Sequence, residues 1–288
     1  MSKITAFIDS NIPLLAETLG SCVDICRFTG RGLSAKELIE GNCKYLFVRS
    51  TTKVNRELLD NTPVRFVGTA TSGIDHIDSS FLESNRIAFA DAPGSNANSV
   101  AEYVVFSILK WSLYKGIDLK GKSIGIIGYG NVGKIVGSYA DNMKLKVFVN
   151  DPPLHDAGFE FPDYCKYSEL SEISSCNIIT NHVPLTNGGL YPTINLLDEK
   201  FITDMPNDSL FIHASRGGVA DEDALLERML KKEISGAIDV WYNEPLINSE
   251  LAGLSIIATP HVAGYSRDGK LRGTLRMAQA FERHSGIK

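Results

Sequence analysis

Short apolar runs alternate with amphipathic segments along the chain. In its first third, the apolar runs lie at 4–8, 23–28, 45–48, 64–67 and 87–89. Segments with helical spacing of apolar residues lie between them, at 14–19, 34–40 and 56–60. Ser34 and Glu37 have the spacing of a capping box at the start of the second helix. Strands that alternate with helices in this way are typical of a parallel β-sheet covered by helices.

The same alternation continues in the rest of the chain. Strands are predicted at 122–127, 146–150, 177–180, 209–214, 234–241 and 254–259, and helices at 134–140, 222–230 and 270–284. Residues 100–111 are apolar on nearly all sides and form too long a segment for a strand. We therefore expect a helix there that is buried between domains or at a subunit contact.

Residues 91–99 are rich in Pro, Gly, Ser and Asn and mark a domain boundary. The basic helix at 270–284 is expected to return to the first domain. The predicted fold class is α/β, with two Rossmann-like or flavodoxin-like parallel-sheet domains and the active site in the cleft between them. The expected bounds are 1–94 plus 267–288 for a substrate domain and 95–266 for a nucleotide-binding domain.

A glycine-rich turn follows the strand at 122–127. Gly128, Gly130 and Gly133 have G-x-G-x-x-G spacing, and Asp151 ends the next strand. Glycines in this pattern permit a tight turn, close approach of a pyrophosphate and close packing of the following helix, whose N-terminus faces the phosphates. A carboxylate at the position of Asp151 binds ribose hydroxyls and repels a 2′-phosphate, so the pattern predicts NAD rather than NADP. A glycine-rich turn without a ligand is the alternative.

Composition narrows the class of protein and its compartment. With 288 residues, 43% of them hydrophobic, the chain can bury a core in each of two domains. A net charge of −5 argues against a nucleic-acid surface, and no apolar stretch approaches the length of a membrane span. The N-terminus has no signal-peptide pattern. Five scattered cysteines predict neither a disulfide framework nor a metal site, so the expected compartment is the cytoplasm; they are Cys22, Cys26, Cys43, Cys165 and Cys176.

Three residues with complementary chemistry stand just past predicted strand ends: Arg216, Glu244 and His261. The carboxyl ends of parallel strands meet at one edge of the sheet, so these side chains are expected to lie together. A histidine can accept the proton of an alcohol, a carboxylate can orient it, and an arginine can bind a substrate carboxylate. Together they indicate hydride transfer at a 2-hydroxy acid. Singly, each has a structural alternative: a packed or capping histidine, an exposed arginine in a turn, a solvated glutamate.

Several motifs resemble the D-isomer-specific 2-hydroxyacid dehydrogenase family over essentially the whole chain. They are the glycine-rich turn, Ser215-Arg216-Gly, Asp239-Val-Trp-x-x-Glu244-Pro and Thr259-Pro-His261-Val-Ala-Gly264. The resemblance implies catalytic roles for Arg216, Glu244 and His261. It also implies cofactor contacts for a larger group of residues: Gly128, Gly130, Asn131, Val132, Gly133, Asp151, Val183, Ala214, Ser215, Arg216, Asp239 and Gly264. Val183 stands where the family commonly has Thr, which leaves a backbone contact there.

Other motifs resemble one subgroup of that family, which acts on a phosphorylated substrate. They are the segments 48–55, 68–78 and 261–274. This narrower resemblance implies NAD-dependent oxidation of 4-phospho-D-erythronate to 2-oxo-3-hydroxy-4-phosphobutanoate in pyridoxal phosphate (vitamin B6) biosynthesis. It implies substrate contacts at Ser50, Thr71 and Tyr265. The charges and positions of Arg49 and Lys53 make them candidates for the phosphate, with a solvated surface pair as the alternative.

Partners and rival functions follow from the same resemblance. The chain stops soon after Arg272-Gly-Thr, before the C-terminal dimerisation domain usual in the family, so a homodimer would rest on the apolar helix at 100–111. One rival function is another D-2-hydroxyacid dehydrogenase, such as a hydroxypyruvate or glyoxylate reductase or a phosphoglycerate dehydrogenase. A rival from another class is an NAD-sensing interaction protein, since some transcriptional corepressors resemble this family.

Overall fold

The structure is a computed structural model that describes residues 4–20 and 23–287, so Cys22 lies outside the described residues. The chain divides into two compact units. The first comprises Met1–Asn96 and Ser266–Lys288, and the second comprises Ala97–Tyr265.

A parallel sheet of five strands forms the centre of the first unit, in the order β2-β1-β3-β4-β5. The strands are β1 (Ile4–Asp9), β2 (Val23–Phe28), β3 (Tyr45–Val48), β4 (Phe66–Thr69) and β5 (Ala88–Ala90). The helices between them are α1 (Leu15–Leu19), α2 (Ala35–Glu40), α3 (Arg56–Leu59) and α4 (Ser79–Ser84). Ser34 and Glu37 form the predicted capping box at the start of α2.

A parallel sheet of seven strands forms the centre of the second unit. The strands are β6 (Ser123–Ile127), β7 (Lys146–Asn150), β8 (Cys165–Tyr167), β9 (Ile178–Asn181), β10 (Ser209–His213), β11 (Ile234–Ile238) and β12 (Ile257–Ala258). The helices are α5 (Ala97–Lys115), α6 (Asn131–Asn142), α7 (Pro152–Asp156), α8 (Leu170–Ile173), α9 (Glu199–Thr203), α10 (Glu222–Leu230) and α11 (Ser249–Leu254). The strand order is β12-β11-β10-β9-β6-β7-β8. This is the doubly wound Rossmann order with one further strand, so the predicted α/β class with two parallel-sheet domains is confirmed.

The last helix, α12 (Arg267–Ser285), belongs to the first unit. Its Met277 and Phe281 are buried in the same apolar cluster as Ala6, Tyr45 and Phe47 of the sheet. A second cluster, which includes Leu38, Leu46 and Val67, covers the opposite face. Because successive strand residues point to opposite faces, a sheet buried on both sides needs runs that are apolar throughout.

The sheet of the second unit is also covered on both faces. One apolar cluster includes Ile179, Phe211 and Leu225, and the other includes Val104, Ile126 and Val136. The sheet reverses its winding between β6 and β9, which are paired in parallel although five elements of chain separate them: α6, β7, α7, β8 and α8. In open α/β sheets, ligands bind at the carboxyl ends of the strands beside such a reversal.

Some predicted elements differ from the structure. β4 begins at Phe66 rather than at 64, since the backbone N–H of Arg65 and that of Phe66 both reach the carbonyl of Lys44 before the ladder with β3 begins. β8 was not predicted, because it is a short, partly exposed edge strand without an apolar run. α5 is buried on one face only, while Phe106 and Leu113 on its other face are exposed. None of the helices in the described residues combines the length and apolar character needed to cross a membrane.

Candidate active site

The three predicted catalytic residues stand at one edge of the seven-stranded sheet. Arg216 follows β10, Glu244 follows β11 and His261 follows β12, and these strands are adjacent. In a parallel sheet all strands end at the same edge, so the strand order itself gathers the three loops. The structure therefore brings together the residues that the sequence placed at separate strand ends.

A direct hydrogen bond joins two of these side chains. Nδ1 of His261 lies 2.9 Å from Oε2 of Glu244. A carboxylate can only accept, so Nδ1 carries the hydrogen and, in the neutral ring, Nε2 keeps its lone pair. Both side chains remain partly exposed, at 44% for His261 and 35% for Glu244. The pair is thus oriented by contact and open to a ligand.

The surroundings of Glu244 favour its charged form. Burial acts to raise the pKa of its carboxyl group, but the hydrogen bond from His261, the backbone N–H of Trp241 and the charge of Arg216 together outweigh burial and lower the pKa. The N–H of Trp241 donates to Oε1 of Glu244 at 2.9 Å. Both carboxylate oxygens are therefore held, one by the protein backbone and one by the imidazole.

Asp239 organises the loop on which His261 stands. Its side chain is 1% exposed. Oδ1 accepts the hydroxyl of Thr259 at 2.6 Å and the N–H of Val262 at 2.7 Å, and Oδ2 accepts the N–H of Ala263 at 2.9 Å. Its backbone carbonyl accepts the N–H of His261 at 2.7 Å. One buried carboxylate thus fixes the backbone on both sides of the histidine.

Two further side chains, which the sequence analysis did not select, support the same loop. The hydroxyl of Thr259 donates to Asp239, so Tyr103, whose OH lies 3.1 Å from it, is the donor in their contact. Nε1 of Trp241 donates to the carbonyl of Thr259 at 3.0 Å. Burial raises the pKa of Tyr103 to about 12, which keeps its hydroxyl protonated as this contact requires. The sequence pattern pointed only to neighbouring residues of the loop, such as Asp239 and His261.

The segment that carries Arg216 packs against the loop of Glu244. A Cβ atom on Gly217 would lie 2.1 Å from the carbonyl oxygen of Trp241, so only glycine permits this approach of the two backbones. Arg216 is half-buried, and its Nη1 donates to the carbonyl of Ser215 at 2.7 Å. The positive charge of the guanidinium contributes to the lowered pKa of Glu244, so the two charged groups interact electrostatically.

The glycine-rich turn has a shape that suits a dinucleotide. Gly128 has φ +87°, and a Cβ atom on Gly133 would lie 2.1 Å from the carbonyl oxygen of Gly128. A Cβ atom on Gly130 would meet nothing within 4 Å, and no side chain caps the start of α6, where Asn131 and Val132 stand. The turn therefore presents open space and backbone donors where a pyrophosphate would lie. The residues fit the group.

Asp151 and Val183 stand on either side of the reversal in the sheet. The carboxylate of Asp151 accepts the N–H of Tyr129 at 2.6 Å and that of Leu154 at 3.1 Å. An ionised carboxylate has about four acceptor positions, so it keeps capacity for ribose hydroxyls. Val183 follows β9, and its Cγ1 would lie 3.0 Å from a Cβ atom on Gly128, so it forms part of the wall beside the turn.

The remaining predicted cofactor residues lie in the same unit. Ala214 and Ser215 precede Arg216 after β10, and Gly264 follows the loop of His261. Tyr265 ends this unit, is 59% exposed and donates its N–H to the carbonyl of Val262 at 2.8 Å.

The predicted substrate residues of the first unit follow two adjacent strands. Arg49, Ser50 and Lys53 come after β3, and Thr71 comes after β4. The turn after β3 is fixed by the N–H of Thr52, which donates to the carbonyl of Arg49 at 3.1 Å. Ser50 and Lys53 are exposed and Arg49 is half-buried.

A directed chain of hydrogen bonds holds the hydroxyl of Thr71. It donates to the carbonyl of Gly73 at 2.8 Å, so the hydroxyl of Thr69, 2.8 Å away, must donate to it. Nε2 of His76 then donates to Thr69 at 3.0 Å. The hydrogen of Thr71 is engaged in this way, and its remaining lone pair can accept a hydrogen bond from a ligand.

A family model of known proteins matches most of the second unit. Residues 102–263 match the family model described as D-isomer specific 2-hydroxyacid dehydrogenase, NAD binding domain. The chain belongs to this family. The family resemblance drawn from the motifs is confirmed, as are the NAD cofactor and the class of NAD-dependent dehydrogenase acting on a CH–OH group.

Individual relatives cover the whole chain. It is 43% identical over 286 residues to the erythronate-4-phosphate dehydrogenase of Hahella chejuensis, and the aligned region covers 99% of this chain and 73% of that protein. It is 41% identical over 277 residues to the erythronate-4-phosphate dehydrogenase of a Marinomonas species, across 95% and 71% of the two chains. The solved structure of D-lactate dehydrogenase from Aquifex aeolicus with NAD and lactic acid has a TM-score of 0.80 at 22% identity, across 98% of this chain and 95% of that one. This last likeness concerns the fold.

Proposed function

We propose that the chain catalyses NAD-dependent oxidation of 4-phospho-D-erythronate to 2-oxo-3-hydroxy-4-phosphobutanoate. Relatives at 43% and 41% identity carry the name erythronate-4-phosphate dehydrogenase, which supports this substrate over other 2-hydroxy acids. A role in pyridoxal phosphate biosynthesis is part of the same proposal.

The pair of His261 and Glu244 is the observation that carries the proposal. With Nδ1 donating to Glu244 at 2.9 Å, Nε2 is the free base and is suited to accept the proton of the C2 hydroxyl. Proton transfer leaves an imidazolium beside a carboxylate that is already charged, because the pKa of Glu244 is lowered once its hydrogen bonds outweigh burial. The pair therefore stabilises the product of the proton transfer more than the starting state.

Arg216 supplies the complementary charge. A guanidinium binds a carboxylate through two parallel hydrogen bonds, so it can hold the C1 carboxylate of a 2-hydroxy acid beside the base. The same group stabilises negative charge on the C2 oxygen as the carbonyl forms. The anchored backbone at Ser215 and Gly217 limits the directions in which the side chain can point.

The second unit provides the proposed cofactor contacts. When bound, NAD supplies the acceptor for the hydride that leaves C2. Gly128, Gly130 and Gly133, with Asn131 and Val132, would hold the pyrophosphate, and Asp151 the adenosine ribose. Asp239 uses three of about four acceptor positions on the protein itself and keeps one for a cofactor donor. The proposed contacts on the nicotinamide side are Val183, Ala214, Ser215 and Gly264.

The first unit provides the proposed substrate contacts, so residues 1–94 plus 267–288 would form the substrate domain and 95–266 the NAD domain. Ser50 and Thr71, on adjacent strand ends, would bind the hydroxyl-bearing part of the substrate. Arg49 and Lys53 would neutralise its phosphate. Tyr265, exposed at the end of the second unit, would contact the substrate as well.

We also propose a homodimer and a cytoplasmic location. A homodimer would use the exposed apolar side of α5, where Phe106 is 58% and Leu113 is 84% exposed. The four described cysteines, at positions 26, 43, 165 and 176, are free thiols, which suits the cytoplasm as the proposed compartment.

Purified protein mixed with NAD and a panel of substrates tests the proposed function. The panel contains 4-phospho-D-erythronate, D-erythronate, D-3-phosphoglycerate and D-glycerate, and NADH formation is read by absorbance. We expect the highest kcat/KM for 4-phospho-D-erythronate and a loss of activity on removal of its phosphate. A higher kcat/KM for phosphoglycerate or glycerate would contradict the substrate, and NAD binding without any turnover would favour a sensor protein.

A further inference from the structure

A row of buried polar side chains crosses the ends of two strands next to Arg216. Asn181 is the last residue of β9 and His213 is the last residue of β10, and the two are direct partners in the parallel register. Both are 0% exposed, and Ser215 beyond them is 5% exposed. Polar groups buried to this extent need hydrogen-bond partners, and here they supply them to one another.

The hydrogen bonds in this row have one consistent direction. Nε2 of His213 lies 3.4 Å from the carbonyl oxygen of Gly217, which can only accept, so Nε2 carries the ring hydrogen. Nδ1 is then an acceptor for the amide nitrogen of Asn181 at 3.1 Å. That leaves Oδ1 of Asn181 to accept the hydroxyl hydrogen of Ser215. Every hydrogen-bond donor in the row therefore faces an acceptor.

The row anchors the chain on both sides of Arg216. Ser215 is held through its side chain by Asn181, and Gly217 is held through its carbonyl by His213. Gly217 also packs directly on the backbone of Trp241. Arg216 therefore stands on a segment that is fixed immediately before and after it.

The charge state of the row is fixed as well. Burial is the main cause that lowers the pKa of His213 to about 4. The ring is therefore neutral near pH 7 and holds the single tautomer that the two contacts demand.

We propose that Asn181 is a positioning residue for Arg216, acting through Ser215 and His213 without touching the substrate. The inference rests on the proposed function, in which Arg216 binds the substrate carboxylate. A carboxylate clamp depends on the placement of its guanidinium, and a misplacement of about 1 Å can cost roughly 100-fold in rate.

Asn181→Leu is the first test, because it removes both hydrogen bonds of the amide. We expect kcat/KM for the 2-hydroxy acid substrate to fall by roughly 10- to 100-fold. The Kd for NADH should change much less, because Ser215 is only one of many proposed cofactor contacts. Asn177→Leu is the matched control. Asn177 precedes β9, and its Oδ1 accepts the N–H of Ser123 at 3.1 Å at the opposite end of the strand. This control removes a comparable tie between strands away from the site, so its kcat/KM should stay at the wild-type value.

Asn181→Asp is the second variant, and it keeps the shape of the side chain. The carboxylate can still accept from Ser215, but it offers no donor to Nδ1 of His213. His213 must then move its hydrogen to Nδ1 and release Gly217, or become protonated. We expect an intermediate loss of kcat/KM and a changed tautomer of His213 in long-range ¹H–¹⁵N spectra. An unchanged tautomer together with wild-type kcat/KM would overturn the proposal.

A double-mutant cycle with Arg216→Lys separates positioning from a general structural effect. If Asn181 acts through the guanidinium, Asn181→Leu should cost much less in the Arg216→Lys background than in the wild type. Equal losses in both backgrounds would overturn the proposal. Failure of the wild-type protein to oxidise any 2-hydroxy acid would instead contradict the proposed function, and the inference with it. Turnover by the wild type with an unaffected Asn181→Leu variant contradicts the inference alone.

Discussion

Nδ1 of His261 lies 2.9 Å from Oε2 of Glu244, although the two residues stand on different loops. Glu244 holds the imidazole ring, while Asp239 holds the backbone around it through three hydrogen bonds to its side chain. The orientation of the imidazole ring and the position of its backbone are thus controlled by two separate carboxylates. Substitutions at the two should have different consequences.

Glu244→Gln should impair catalysis with little effect on folding. The glutamine oxygen can still accept from Nδ1, but the charge that stabilises the imidazolium is lost. Loss of a group placed to stabilise charge that develops during the reaction typically costs about 10²- to 10³-fold, so kcat should fall by roughly 100- to 1000-fold. An unchanged kcat across the pH range would remove Glu244 from the mechanism.

Asp239→Asn should impair folding and catalysis together. An amide has one oxygen, so at least one of the donors from Thr259, Val262 and Ala263 loses its acceptor in a buried place. We expect a loss of about 1–3 kcal/mol in the free energy of unfolding, measured with urea, and a large fall in kcat. Asp204→Asn is the control, since Asp204 is exposed and pairs with Lys200 on the surface. If both variants unfold at the same urea concentration as the wild type, Asp239 does not hold the loop.

Two glycine substitutions separate the shape of the turn from its ligand. In Gly133→Ala, the new methyl group would lie 2.1 Å from the carbonyl oxygen of Gly128, so the turn must open and the melting temperature should fall. In Gly130→Ala, the methyl group meets no protein atom within 4 Å, so stability should be retained. It would occupy the space proposed for the pyrophosphate, and the Kd for NADH should rise. Tight NADH binding by Gly130→Ala would place the pyrophosphate elsewhere.

Acid should destabilise the protein through His213. Its pKa is lowered to about 4, chiefly by burial, from an ordinary value of 6.5. The unfolded chain therefore binds the proton more readily, and stability is full above pH 6.5 and declines as the pH falls towards 4. Because the ring is 0% exposed, it should change the free energy of unfolding by about 1.4 kcal/mol per pH unit between these two pKa values. His213→Asn should reduce the slope of unfolding free energy against pH between 6.5 and 4, and an identical slope would contradict the assignment.

The sequence predicts the parts of the site that depend on strand ends. Arg216, Glu244 and His261 each follow an apolar run that becomes a strand, and a parallel sheet brings such positions to one edge. The spacing of Gly128, Gly130 and Gly133 predicts the turn equally well, because Gly128 adopts a positive φ, Gly133 packs on the carbonyl of Gly128 and Gly130 leaves open space. Local rules therefore suffice for these features.

The parts that the sequence did not predict depend on pairing between distant segments. Asn181 and His213 look like single polar residues at the ends of apolar runs, and only the register of β9 against β10 makes them partners. Tyr103 reaches Thr259 from a helix far away in the chain. The carboxylate of Asp239, a predicted cofactor contact, also binds the loop of His261, and that second role could not be predicted without the backbone path.

The central claim is that His261 is the base in an NAD-dependent oxidation of 4-phospho-D-erythronate. Its most direct test is the rate of NADH formation by His261→Ala in a single turnover with that substrate, beside a fluorescence titration of NADH binding. His284→Ala is the control, since that histidine contacts Tyr45 in the first unit. We predict a fall of roughly 10²- to 10⁴-fold for His261→Ala, wild-type rates for the control and an unchanged Kd for NADH in both. A wild-type rate of NADH formation by His261→Ala would contradict the claim.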